Sequence, residues 1–284
     1  MLRGAISAVL SSDEARAREI AERLGKRARG EEGVYYRKVG ELVRSVLVPG
    51  NGSFLDLARA VSISSSFYLY MPQFTWAEGE LALLVEAAGI QGVVMAEDRR
   101  AFSKYFGELA MSKYLSDFRE LDVEVPDVGI VYVDRAFNVR GVGLVALGYA
   151  MTQIAVHDEL VAFPGGKRVE VKSIQVLDED QDAVGPGARV GLALKGASLE
   201  EIREAQALLK PGVKTARELK YVKFKWSEEP RDVHVFIRGV KAMGRAEGDT
   251  IKLNGEIPAA PGRALVVNVN ARPKKPRVVG YAEL

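Results

Sequence analysis

The stretch Val131–Gly196 reads VYVDRAFNVRGVGLVALGYAMTQIAVHDELVAFPGGKRVEVKSIQVLDEDQDAVGPGARVGLALKG and decides the fold of the middle of this chain. Short β-rich runs are broken by turn signals at Gly141 and Gly143, at Pro164-Gly165-Gly166 and at Gly185-Pro186-Gly187. That spacing is the pattern of a small closed β-barrel. Val169 and Val171 alternate in one phase, Ile174 and Val176 in the other. A period of two that changes phase predicts a β-bulge near Lys172-Ser173. Val190, Leu192 and Leu194 supply one apolar face beside Gly191 and Ala193.

Upstream the pattern is different. RGAISAVL (Arg3–Leu10) reads as a buried strand, followed by a helix from about Ser12 to Lys26 with Ile20, Ala21, Leu24 and Ala28 on its apolar face. Ser11 and Glu14 fit a capping box at its start. VYYRKV and LVRSVLV flank Gly40 as a hairpin. A short helix near Phe54–Val61, a strand at Ser65–Met71, a helix around Trp76–Ala88, a strand at Gln91–Ala96 and further helix beyond Arg99 follow. Alternating strands and helices of these lengths predict an α/β domain with a largely parallel sheet.

The 284 residues carry 48% hydrophobic and 27% charged side chains, ordinary for a globular protein. No apolar run approaches the roughly 20 residues that span a bilayer, and the N-terminus has no signal-peptide pattern, so no membrane partner and a cytoplasmic location are expected. The absence of cysteine excludes disulfides and thiolate-held metals. The only histidines are His157 and His234, far apart in sequence, so neither a metal site nor a cofactor is expected. His157 and the acidic run Asp178–Asp182 read as solvated loop surface.

Charge is unevenly distributed. Residues 1–122 hold 16 Lys and Arg against 17 Asp and Glu, residues 123–210 hold 9 against 13, and residues 211–284 hold 15 against 8. A C-terminal third at net +7 suits a polyanion, and nucleic acid is the commonest one.

The order of motifs in the middle third resembles the second domain of the EF-Tu/SelB-like translation elongation factors, in their archaeal type. VDRAF (Val133–Phe137) is similar to the family's I-D-R-x-F strand, and GVGLVALGY (Gly141–Tyr149) to its G-x-G-T-V-x-x-G turn. VHDEL, KRVEVKSIQ and GLALKG follow in the same order and spacing. The resemblance implies a GTPase-like α/β domain over residues 1–122, a barrel over 123–210, and a second, basic barrel over 211–284. Strands in that last part are expected at Tyr221–Trp226, His234–Val240, Thr250–Leu253, Ala264–Val269 and Arg277–Tyr281.

The GTPase chemistry does not accompany the resemblance. A phosphate-binding loop needs G-x-x-x-x-G-K-[ST] between the first strand and its helix. AVLSSDEARA (Ala8–Ala17) stands there, with neither glycine nor lysine, and with Asp13 and Glu14 where a helix dipole would otherwise welcome phosphate. Where the family has D-x-P-G-H, this chain has Leu47-Val48-Pro49-Gly50-Asn51, so the magnesium-side aspartate and the water-positioning histidine are both replaced. The guanine-reading motif is replaced by MAEDR (Met95–Arg99), in which Glu97 and Asp98 are the nearest carboxylates. Losing three or four charge-assisted hydrogen bonds removes about 5–10 kcal/mol, enough to take a nanomolar site to roughly millimolar. No catalytic and no nucleotide-binding residue is therefore assigned, and the first domain reads as a degenerate, pseudo-GTPase scaffold.

In the family this barrel helps to hold the aminoacylated end of tRNA against the GTPase domain. The resemblance carries that role to Asp134, Phe137 and Lys195. The closing R-G-x-x-L of the family is altered to Glu204-Ala205-Gln206-Ala207-Leu208. In the basic third, Lys220, Lys223 and Lys225 lie within or beside one strand, and Arg272, Lys274, Lys275 and Arg277 form the tip RPKKPR, whose prolines keep it from pairing as a regular strand. These residues are the candidate RNA contacts, with tRNA or ribosomal RNA as partner. Other translation factors are the further partners. Two other readings remain open, an active G protein with an aberrant site and a protein–protein adaptor using Phe67–Trp76. Oligomeric state is open.

Overall fold

The computed structural model describes residues 1–50 and 52–284. Its first part is an α/β domain. Strands β1 (Arg3–Leu10), β2 (Lys26–Arg27), β3 (Val34–Val39), β4 (Leu42–Leu47), β5 (Ser66–Met71) and β6 (Gln91–Ala96) form one sheet in the order β2-β3-β4-β1-β5-β6. The four strands from β4 to β6 in that order run parallel, and β3 returns antiparallel to β4 as the expected hairpin. β1 is buried on every residue but its first, because helices cover both faces of a parallel sheet. The helices are α1 (Glu14–Leu24), α2 (Phe54–Ile63), α3 (Trp76–Ala88) and α4 (Arg99–Phe106).

The first barrel comprises β7 (Ile130–Val139), β8 (Gly143–Met151), β9 (Ile154–Ala155), β10 (Glu159–Phe163), β11 (Arg168–Val176), β12 (Glu179–Gln181), β13 (Ala183–Val184), β14 (Ala188–Lys195), the helix α5 (Leu199–Glu204) and β15 (Ala207–Leu209). Pairings β15–β7, β7–β8, β8–β14, β14–β11, β11–β10 and β10–β15 close the ring, with β12 on its flank and β9 paired to β13 outside it. The phase change in Val169–Val176 is a register shift between Val171 and Ser173, the expected bulge.

The second barrel is a closed ring of β16 (Thr215–Lys223), β17 (Asp232–Ile237), β18 (Val240–Glu247), β19 (Thr250–Pro258), β20 (Arg263–Val267) and β21 (Val278–Glu283), in the order β16-β19-β18-β17-β20-β21. The run His234–Val240, expected as one strand, is the end of β17 and the start of β18. Arg238 (φ 48°) and Gly239 (φ 86°) make a two-residue turn between the paired Ile237 and Val240. Such a turn needs positive φ at both central residues. Arginine is an uncommon residue in that conformation, so the turn signal was masked.

The three parts are packed together. Phe236, Leu265, Val267 and Val278 point out of the second barrel yet are fully buried, because they pack on the apolar faces of α2 and α3. The inner faces of the same strands carry Val233, Val235, Ile237 and Val266, so these strands are apolar on both sides. β1 is tied to the first barrel by its backbone: the Gly4 amide donates to Pro186 O (2.8 Å) and the Gly185 amide to Leu2 O (2.7 Å). A Cβ at Gly4 would lie 1.9 Å from Gly187 O, so only glycine permits this approach. The two barrels meet where the Gln206 side chain exchanges hydrogen bonds with the Lys241 backbone, at 3.0 and 2.8 Å.

Candidate functional site

In an open α/β sheet, ligands bind at the carboxyl ends of the strands where the strand order reverses. Here that point is the end of β1, flanked by β4 and β5. The turn into α1 is closed by its own side chains. Asp13, not Ser11, is the N-cap: its Oδ1 accepts from the amides of Ala15 (3.0 Å) and Arg16 (3.1 Å). Ser11 Oγ accepts from the Asp13 amide at 3.0 Å, and Glu14 pairs with Arg18 at 3.1 Å instead of completing a box. Asp13 wins because its carboxylate interacts with both the orphan amides and the positive helix end.

The Ser12 hydroxyl donates to Glu78, a fully buried carboxylate on the first turn of α3. Glu78 also accepts from the Thr75 amide at 2.9 Å and from the Thr75 hydroxyl. Burial pushes the Glu78 carboxyl up, but these hydrogen bonds prevail and hold it below the usual carboxylate range. The turn after β1 is thus clamped to the start of α3.

The other nucleotide-side positions are similarly occupied. Leu47 is buried in the hydrophobic core; Asn51 lies outside the described residues. Asp98 caps α4, accepting from the amides of Arg100 and Ala101 at 2.9 Å each, and Glu97 accepts from the Tyr70 hydroxyl. Among the described residues, no group of three or more acidic or histidine side chains is placed to hold a metal ion, and no helix is long and apolar enough to cross a membrane.

A second cleft, of about 780 Å³, separates the α/β domain from the first barrel. Phe137 lies on its wall with Val145 and Leu147; Arg29 and Tyr36 face them, and Asp178 and Asp180 stand at its edge. Its floor is organised by Arg189. This guanidinium is 7% exposed and contacts Glu31 (2.7 Å) from the α/β domain and Asp134 (3.0 Å) from the barrel. Burial works against its charge, but Tyr149, Tyr36, Asp134 and Glu31 raise its pKa overall. Burial likewise raises the Tyr36 phenol, which stays protonated and donates to Glu31 at 3.1 Å. Asp134 is therefore part of an interdomain tie, whereas Phe137 faces the cleft. Sequence reasoning missed Glu31, Tyr36 and Arg189, since their signal is a convergence of separate segments.

The remaining candidates are spread out. Lys195 sits at the end of β14, paired with Glu170 (2.7 Å), which also meets His157 at 3.1 Å. Lys220 is exposed on β16. Lys223 pairs with Glu229 (2.8 Å) and Lys225 with Glu108 (2.6 Å). Arg272, Lys274 and Lys275 are exposed on the loop between β20 and β21, where Arg272 pairs with Glu228 at 2.5 Å. Arg277 turns inward instead, onto the buried Glu80 of α3 and the face of Phe54, 4.2 Å from its ring centre. The structure thus groups Lys223, Lys225, Arg272, Lys274 and Lys275 at one end of the second barrel, and separates them from Phe137 and Lys195.

An α/β domain followed by two closed barrels superposes on solved structures over the whole chain. SelB from Methanococcus maripaludis in its apo form superposes with a TM-score of 0.76 at 14% identity, covering 99% of this chain and 79% of that one. The chain has the fold of the SelB elongation factors. The same protein in complex with the GTP analogue GppNHp gives a TM-score of 0.76 at 15% identity, over 100% of this chain and 79% of that one. A bacterial selenocysteine-specific elongation factor gives 0.70 at 17% identity, over 100% of this chain and 58% of that one. In sequence, an uncharacterized protein of Methanocaldococcus jannaschii is 38% identical over 96 residues, which are 34% of this chain and 31% of that protein. The selenocysteine-specific elongation factor of the same organism is 34% identical over 98 residues, 34% of this chain and 21% of that protein. The chain thus spans less than a third of the length of either curated relative. No family model matches it.

Proposed function

We propose that this chain is an elongation-factor-like protein of the translation machinery that binds tRNA or ribosomal RNA through its barrels without hydrolysing GTP. The observation that carries the reading is the Asp13 carboxylate on the amides of Ala15 and Arg16, where a nucleotide-binding member of this fold presents bare amides to phosphate. A phosphate brought there would meet a fixed negative charge in place of a lysine. Phosphoryl transfer needs magnesium, lysine and an oriented water acting together, and Leu47 supplies no metal ligand. The α/β domain then serves as a scaffold that holds the first barrel at a set angle through Arg189 and the Gly4–Gly187 approach. Support for RNA comes from the basic end of the second barrel and from the cleft at Phe137, which is large enough for an unpaired nucleotide end.

The test is calorimetric titration of nucleotide-free protein with GTP and GDP plus magnesium, alongside RNA binding measured over a range of salt. The expected outcome is no heat up to millimolar nucleotide, with RNA affinity that falls steeply as salt rises. Micromolar GTP binding would refute the scaffold reading, and RNA affinity independent of salt would refute the role of the basic barrel.

A further inference from the structure

We infer that the groove between α3, α4 and the second barrel is a stacking site for unpaired nucleotides of an RNA strand. The inference rests on the RNA-binding reading above and adds a place and a chemistry to it. Three large rings converge there while exposed to solvent: Trp76 (51%) on α3, Tyr105 (59%) on α4 and Trp226 (37%) beyond β16. Isolated exposed aromatics are commonplace, but three from separate elements around one groove form a patch with a use. These include both tryptophans of the chain.

The floor is kept open at some cost. Gly79 lies inside α3, three residues after Trp76, and a Cβ there would have nothing within 4 Å. Packing therefore does not demand glycine, and a helix interior is destabilised by it, by roughly 0.5–1 kcal/mol relative to alanine. What its lack of a side chain does is leave the groove clear between the rings.

Charge selects the occupant. The carboxylates Glu80, Glu108, Glu228 and Glu229 around the groove are paired with Arg277, Lys225, Arg272 and Lys223 respectively. Lys104, over the Tyr105 ring, and Lys275, which acts on Glu228 alongside Arg272, add positive charge to those pairs. The Lys225 ammonium lies 4.7 Å from the Trp226 ring centre and that of Lys104 5.6 Å from Tyr105. A base stacked on the Tyr105 ring thus brings its phosphate next to Lys104, while Lys225 at Trp226 is shared with Glu108. At about 180 Å³ the cavity is below the size of drug-like pockets and suits a planar ring rather than the face of a helix. Aromatic faces interleaved with cations are how single strands are bound without sequence preference.

The experiment titrates the full chain with a short oligouridylate at low salt, reading tryptophan emission, and in parallel reads the anisotropy of the same labelled RNA. Emission should be quenched in step with binding. Tyr105→Ser should weaken affinity by about tenfold, the loss of one stacked base. Gly79→Leu should block the groove and weaken affinity at least as much while thermal stability is not lowered, which separates a lost site from a lost fold. RNA binding with unquenched emission and unaffected variants would overturn the groove and leave the RNA reading standing. No anisotropy change with any RNA would overturn both. Quenching by an amphipathic peptide but not by RNA would assign the groove to a protein partner and overturn the inference.

Discussion

Replacing Arg277 by alanine tests whether this residue serves the fold or the RNA surface. Glu80 is 5% exposed at its side chain and is embedded between α3 and the second barrel; Arg277 is 41% exposed. The carboxylate accepts from the Arg277 amide at 2.9 Å, from Nε at 3.0 and 3.2 Å, and from Nη2. Removing the guanidinium strands the buried carboxylate with only the amide. Breaking a fully buried pair costs about 3–5 kcal/mol, and the exposure of Arg277 places this site at the lower end, about 3 kcal/mol. Glu80→Ala should cost less, about 2 kcal/mol, because the freed guanidinium can reach water. At the size of this chain 3 kcal/mol corresponds to a fall in Tm of roughly 5 °C. The assay is thermal and urea denaturation of both single variants and the double variant, with RNA affinity measured in the folded range. The double variant should be no worse than Arg277→Ala alone, since the stranded carboxylate has gone. If Arg277→Ala keeps its stability and instead loses RNA affinity, the structural assignment is wrong and Arg277 belongs to the binding surface.

Asp13→Ala should cost about 1 kcal/mol as a lost helix cap and create no measurable GTP affinity, since lysine and the metal ligands are still missing; calorimetry on the variant decides. Arg189→Met leaves Glu31 and Asp134 with only the longer contacts of the half-exposed Arg135, at 3.8 and 3.6 Å, so the expected destabilisation lies below the about 3–5 kcal/mol of a fully stranded buried charge. Its trypsin sensitivity at Arg27 and Arg29 should rise, whereas unchanged digestion would show that Arg189 does not hold the seam. His234 has a lowered pKa through burial and the nearby Lys241. Its neutral form is favoured in the folded state, so the associated stability is complete above the ordinary value of 6.5 and is lost as pH falls through the lower folded value. Urea midpoints of the parent should fall over that window, and those of His234→Gln should fall less; parallel pH profiles would remove His234 as the cause.

The barrel in the middle of the chain and its bulge were legible in the sequence because strand periodicity is local: Val169 to Val176 change phase within eight residues, and no distant contact is needed to see it. The α/β domain was legible for the same reason, down to α3 and β6. The dissimilarity of Ala8–Ala17 to a phosphate-binding loop was also a matter of sequence alone. The cap was misplaced by two residues, since Ser11 and Asp13 are both able caps and only the path of the backbone out of β1 chooses between them. In the second barrel the expected strand His234–Val240 ran past the end of β17 because docking on α2 makes the outer face of β17 apolar as well and Arg238 hides the turn, so the rest of β18 went unread. The candidate site divided along the same line. Residue type marked Lys223, Lys225, Arg272, Lys274, Lys275 and Arg277 as basic and available, and it marked Asp134 as part of a motif. Only the tertiary structure turned Arg277 inward onto Glu80, joined Asp134 through Arg189 to Glu31, and brought Trp76, Tyr105 and Trp226 to one groove. Charge and periodicity are properties of neighbours along the chain, whereas pairing of a buried charge and convergence of rings depend on which surfaces meet when the domain and its two barrels pack.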